Sequence, residues 1–148
     1  MRRIAVRQSR VHGKGVFALR DIRAGERIIE YKGRVIAWKA ATARYQRRQC
    51  EEGHTFFFEL SDGRVIDGNL EGNSARWINH ACAPNCVAEE DDGRVFILAS
   101  SDIAAGDEIS IDYQLSVDGR RTAALRAAYA CRCRSQDCRG TMLAPRAA

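Results

Sequence analysis

The sequence contains no run of 18 or more apolar residues, so it offers no helix of membrane-spanning length. Its first fifteen residues, MRRIAVRQSRVHGKG, are basic but lack the apolar stretch that follows in a secretory signal, and the chain reads as a soluble intracellular protein. Low-complexity linkers are also missing, with only the residues after Leu143 reading as a frayed tail. Lysine is scarce, three against twenty-one arginines, and with the abundant alanine this matches the usage of a GC-rich, bacterial genome. The arginines are spread along the chain and set the formal charge at +5, which suits an acidic partner or plain solubility and names no substrate. What remains, 148 residues with 45% hydrophobic content, is enough for one domain that buries roughly 70% of its unfolded surface.

Without an export signal, the six cysteines do not read as a disulfide framework, because a reducing interior keeps thiols free. Metal ligation explains them better. CRCRSQDC places Cys131, Cys133 and Cys138 as C-x-C-x₄-C. A C-x-C pair is strained as a mutual disulfide and suited to a thiolate site, where soft sulfur ligands select zinc in a closed tetrahedron. Three sulfurs leave one vertex, and both Cys82 and Cys86 of RWINHACAPNC are candidates for it. Cys50 reads as a small buried side chain.

RIIEYKGRVI, HTFFFELSDGRVID and GRVFILASSDI combine β-branched and aromatic residues with turn signals at Asp62-Gly63 and Asp92-Gly93, which predicts short strands and hairpins. Helical composition is confined to AWKAATARYQRRQCEEG, ended by Gly53, and to GRRTAALRAAYA before the cysteine cluster. The basic run from Arg44 to Arg48 reads as a solvated helix face. One internal echo stands out: DIRAGERIIEY (Asp21 to Tyr31) resembles DIAAGDEISIDY (Asp102 to Tyr113) with one residue added. In each, an Ala-Gly turn leads into a strand that ends in tyrosine. Two such units either serve the core alone or deliver two tyrosines to one cavity.

HGKGVFA, residues 12–18, is a Gly-x-Gly turn that brings backbone close to some other group, but it lacks the third glycine of the dinucleotide fingerprint. INHAC places an amide, an imidazole and a thiol together after Trp77 and Ile78. With these motifs quoted, the chain resembles the SET-domain protein-lysine methyltransferases with a post-SET zinc-binding tail. HGKGVFA resembles the family's first cofactor motif, EYKGRVI its Glu-Tyr-x-Gly strand, and RWINHACAPN its Asn-His-x-Cys signature. AGDEISIDY resembles its Gly-Glu-Glu-Leu segment, and CRCRSQDCRGTM its terminal cluster.

The resemblance implies a mainly β fold, the SET-domain β-clip, made of small sheets with short helices and a knot-like C-terminal segment. It divides the chain into a SET domain (1–115), a connecting helix (116–130) and a post-SET zinc-binding segment (131–148). It implies S-adenosylmethionine as methyl donor, held by the backbone of Lys14, Gly15, Val16 and Phe17, with Asn79 at its amino-acid end, the His80 main chain facing adenine and Arg76 nearby. Zinc would be bound by Cys82, Cys131, Cys133 and Cys138. Tyr113 would be the catalytic tyrosine, with Tyr31 and Ile111 lining the same lysine channel. Ile111 stands where the family commonly has an aromatic residue; an aliphatic side chain there removes a hydroxyl that could hold water, so more than one methyl is expected to fit. Further departures are Arg34 for a common Glu, Ala81 for Ser, and Arg134 after the C-x-C pair.

The implied substrate is a protein lysine, in a histone or histone-like protein. Glu51, Glu52, Glu89, Glu90, Asp91 and Asp92 are candidates for an acidic groove, although exposed loops account for them equally well. Two other classes fit less of the sequence. A non-catalytic adaptor leaves Tyr113 and the cofactor motifs without a role. A zinc-stabilised nucleic-acid binder requires stacking aromatics on a basic face, whereas the aromatics here, 7% of residues, fall mostly inside apolar strands. Neither direct nucleic-acid binding nor a membrane partner is expected.

Overall fold

The computed structural model describes residues 2–11, 13–37, 39, 57–112 and 138. Among these the chain forms ten short strands and one 3-10 helix. The strands are β1 (Ile4–Gln8), β2 (Lys14–Ala18), β3 (Arg27–Tyr31), β4 (Arg34–Ile36), β5 (Phe57–Glu59), β6 (Val65–Asp67), β7 (Asn79–His80), β8 (Cys86–Asp91), β9 (Arg94–Ala99) and β10 (Glu108–Ile111). The helical turn covers Ser74–Trp77. They make three small sheets, ordered β1-β2-β10-β7, β3-β9-β8 and β4-β6-β5. The expectation of a mainly β fold with small sheets is borne out. Both expected helices, apart from Ala37 and Lys39, and the knot-like C-terminal segment lie outside the described residues.

Local chemistry accounts for the hairpins. Asp92 and Gly93 both have positive φ, 51° and 76°, and they join β8 to β9 between the paired residues Asp91 and Arg94. A two-residue loop of that twist matches the right-handed twist of its strands. The β5–β6 connection is longer: Asp62 receives the Arg64 N–H at 2.9 Å, and Leu60 and Arg64 close the loop with a 2.8 Å backbone bond. The β1–β2 hairpin was not expected, because IAVRQ shows little apolar alternation. Pairing with β2 from Ile4↔Ala18 to Gln8↔Lys14 makes it a strand.

Alternation along the strands builds the core. Val16 on β2, Ile97 on β9 and Ile109 on β10 are completely buried, and Ile22 and Ile103 nearly so. Each such side chain contributes about 1.5–3 kcal/mol on leaving water. One contiguous cluster joins Val16 and Ile109 of the first sheet, Ile28 and Ile97 of the second, and Ile66 of the third. Among the described residues no helix is long and apolar enough to cross a membrane.

Candidate active site

The first sheet gathers the residues expected to hold a cofactor, except Arg76, which lies on the helical turn before β7. β10 runs antiparallel to β2, with Glu108 opposite Phe17 and Ile109 opposite Val16. On its other edge it runs parallel to β7, with Ser110 opposite Asn79 and Ile111 opposite His80. HGKGVFA and INH therefore flank one central strand. Asn79, 1% exposed, spans the gap: its Nδ2 donates to the Lys14 carbonyl at 3.0 Å and to Glu108 Oε2 at 2.8 Å. Glu108 Oε1 accepts from Ser9 Oγ at 2.7 Å, and Ser9 Oγ accepts the Val11 N–H at 2.9 Å. The group that the second glycine of Gly-x-Gly approaches is this carboxyl. A Cβ on Gly15 would collide with Glu108 Oε2 and lie 2.9 Å from Ser9 Cβ.

Tyr31 ends β3, only 5% exposed, with its ring centroid 5.5 Å from that of Phe58. Burial pushes its phenol far above the ordinary value of 10.0, and the negative Asp67 adds to the rise while Arg76 opposes it. The group is therefore a neutral hydroxyl at physiological pH. Arg76 lies with its guanidinium carbon 4.9 Å from the Trp77 ring centroid, and Lys14 Nζ lies 4.8 Å from the same ring. A cavity of about 220 Å³ opens beside Tyr31, lined by Glu30, Lys32, Val35, Ile66, Glu71 and Arg94. On that side the Arg94 guanidinium binds both Glu30 oxygens, at 2.7 and 3.2 Å, and holds the carboxyl below its ordinary 4.5. Ile111, at the end of β10, belongs to the hydrophobic core cluster.

His80 connects this region to the cysteines. Its Nδ1 is 3.6 Å from Asp112 Oδ1, and its Nε2 is 3.5 Å from Cys82 Sγ. Cys82 Sγ in turn lies 3.9 Å from Cys138 Sγ. Cys86 is buried at the start of β8, where burial pushes its thiol up to about 11, a rise that a backbone hydrogen bond from Ser110 only partly offsets. Of the two candidates for the fourth ligand, Cys82 is the one beside Cys138. The other expected ligands, Cys131 and Cys133, and the expected catalytic Tyr113 lie outside the described residues. Among the described residues no three ligand-type side chains are arranged so that they could hold a metal ion. The observed pair suits a metal: zinc–sulfur bonds of about 2.3 Å in a tetrahedron place neighbouring sulfurs about 3.8 Å apart.

Several further polar residues organise the site, although the sequence alone assigns them no role. Asn85 latches onto β10, donating to the Glu108 carbonyl at 2.9 Å and accepting the Ser110 N–H at 2.9 Å. Asp67, 1% exposed, accepts the Asn69 N–H at 2.9 Å beside the Tyr31 environment. Glu108 had a visible signal, a carboxylate opening an otherwise apolar-alternating strand. The departure at Arg34 is matched by an ion pair with Glu71 at 3.1 Å. Of the acidic candidates, Glu90 accepts from Ser61 N and Oγ at 2.8 and 2.6 Å, Asp91 and Asp92 sit at the exposed β8–β9 turn, and residues 51 and 52 lie outside the described residues.

Small sheets wrapped around one core, with the Gly-x-Gly strand and the Asn-His strand on either side of β10, agree with the family match. The SET domain model matches residues 13–114, and the chain belongs to that family. It is 35% identical over 147 residues to histone-lysine N-methyltransferase set1 of Dictyostelium discoideum, covering 95% of this chain and 9% of that protein. It is 34% identical over 139 residues to histone-lysine N-methyltransferase trr of Drosophila melanogaster, covering 91% of this chain and 6% of that protein. A third relative, the histone-lysine N-methyltransferase, H3 lysine-4 specific, of Schizosaccharomyces pombe, is 34% identical over 129 residues, covering 84% of this chain and 14% of its own length. The chain thus spans a small fraction of the relatives it matches.

Proposed function

We propose that this protein transfers a methyl group to the ε-amine of a lysine in a histone or histone-like protein. The observation that carries this reading is the direct bond from Asn79 to the Lys14 backbone, which fixes the two expected cofactor segments against each other around the strand leading to Tyr113. S-adenosylmethionine, when bound, supplies an electrophilic methyl on a sulfonium. The backbone of Lys14 to Phe17 together with Asn79, His80 and Arg76 would hold it. The chain's own tasks are alignment and control of the lysine charge. A lysine titrates near 10.4 in water and cannot attack while protonated. A desolvated channel lined by Tyr31, Ile111 and Tyr113 favours the neutral amine. Tyr31, kept protonated by burial and by Asp67, offers a hydroxyl that orients the amine and does not compete for its proton.

Zinc held by Cys82, Cys131, Cys133 and Cys138 would tie the tail to the residue that follows the Asn-His pair, and the 3.9 Å Cys82–Cys138 spacing supports that ligand set. Labelled S-adenosylmethionine incubated with core histones tests the activity. Label on lysine that disappears in Tyr113→Phe is expected, whereas absence of cofactor binding would sink the reading. With a good substrate, products beyond monomethyl-lysine are expected from Ile111. Metal analysis tests the tail: Cys86→Ala should retain one zinc per chain and Cys82→Ala should lose it. Chelation should also lower the melting temperature, since binding energy at such a site is folding energy.

A further inference from the structure

We propose that Glu108 is the positioning residue of the cofactor-binding face, and that Gly15 is glycine because it seats this carboxyl. Two segments distant in sequence, the β1–β2 hairpin with its turn and β7, converge on it. Ser9 donates to Oε1, Asn79 donates to Oε2, and the Gly15 Cα lies against Oε2 where a side chain would begin. The contact with Ser9 extends into the turn before β2, because Ser9 Oγ also accepts the Val11 N–H and Ser9 N donates to the Gly13 carbonyl at 2.7 Å. One side chain therefore fixes the entry to the Gly-x-Gly segment, its second glycine and the Asn79 amide.

The effect on Asn79 is specific. Its two amide protons go to two acceptors, the Lys14 carbonyl and Glu108 Oε2. That commitment sets which way the amide faces, and with it the direction of Oδ1. Acceptors on both N–H bonds also polarise the amide and make its oxygen a better acceptor. Asn79 is the residue expected at the amino-acid end of the cofactor, so the facing of its amide bears on that binding. Glu108 itself need not touch the cofactor; it acts through Asn79 and through the strand edge at Gly15. The identity of the ligand rests on the methyltransferase reading, while the seat at Gly15 stands on geometry alone.

The test uses the full chain in two assays. In the first, S-adenosylmethionine binding is measured by calorimetry and methyl transfer by steady-state kinetics. Glu108→Ala should weaken binding by roughly ten- to a hundredfold, the worth of a hydrogen bond to a charged group. KM for the cofactor should rise with it, while kcat at saturating cofactor stays within about twofold, as expected for lost ground-state positioning. Glu108→Gln should recover most of the affinity, since its amide oxygen can face Asn79 while its NH₂ donates to Ser9 Oγ. Wild-type affinity in Glu108→Ala, or equal losses in the Ala and Gln variants, overturns the assignment. If Glu108→Ala does not fold, Ser9→Ala replaces it and should raise KM several-fold with kcat kept; an unchanged KM overturns the proposal.

The second assay is thermal melting without ligand. Gly15→Ala should lower the midpoint sharply in the wild-type background and less in the Glu108→Ala or Glu108→Gly background, where the carboxyl is gone and only the 2.9 Å contact with Ser9 Cβ remains. An equal drop in both backgrounds overturns the seat. Because this cycle needs no cofactor, it separates failure of the present proposal from failure of the methyltransferase reading, which would appear as no binding by the unaltered protein.

Discussion

The two turn–strand units, Asp21 to Tyr31 and Asp102 onward, are alike in their turns and unlike in their strands. They clasp each other across a near two-fold relation. Ile22 and Ile103 exchange a pair of 2.8 Å backbone bonds, Asp102 accepts the Ala24 N–H and Asp21 the Ala105 N–H, both at 2.9 Å. Gly25 and Gly106 adopt φ of 88° and 93°. Beyond the turns the likeness stops. Among the described residues β3 is an edge strand paired only with β9, with a register irregularity between Arg27 and Ile29, whereas β10 is flanked by β2 and β7. The positions that follow the turn have diverged accordingly. Arg27 lies over the Phe96 ring at 3.9 Å, and its counterpart Glu108 becomes a hydrogen-bond hub. The same local unit serves packing at a sheet edge and organises a site at a sheet centre.

The largest test of that likeness is in the core. Ile22→Ala and Ile103→Ala should each cost about 2–5 kcal/mol in denaturant unfolding, because both side chains are buried at the clasp and their removal leaves a cavity. A silent substitution at one of them would break the symmetry. Asp21→Ala and Asp102→Ala should be smaller and equal, about 1 kcal/mol each, as single hydrogen bonds to a turn amide. Unequal losses by the same measurement would show that one turn depends on its partner more than the other.

The smallest effect separates the strands. Only β3 carries the Glu30–Arg94 pair, whose guanidinium depresses the Glu30 pKa below 4.5. A depressed folded value means that the unfolded chain binds the proton more tightly. The contribution is thus complete above the ordinary carboxylate value and lost as pH falls through the lower folded one. Arg94→Gln should remove that part of the acid dependence, and a carboxyl titration followed by NMR should show Glu30 returning toward 4.5. An unchanged titration would mean that Arg94 does not set the Glu30 charge.

Much of the architecture was legible because its causes are local. Asp92-Gly93 predicts its hairpin from backbone preference alone, and VFILA reads as a buried strand from its side chains. HGKG and INHAC pointed to the family through the residue types they bring together. The β1–β2 hairpin and the role of Glu108 were not legible for a common reason: both depend on what lies across the sheet. IAVRQ becomes a strand because β2 pairs with it, and Glu108 becomes a hub because β2 and β7 take their places on either side of β10.

Residue chemistry along the chain established the turns, the strand-forming segments, the thiol-rich tail and the motif order that marks the family. Distance in sequence hid the rest. Glu108 meets Asn79 across 29 residues, and Cys82 lies beside Cys138 across 56, while Cys86 is carried into the core. Which side chains meet over such spans depends on strand order and on a register that flips every side chain when it slips by one residue. Burial of the shared core selects that register, and burial is a property of the folded whole.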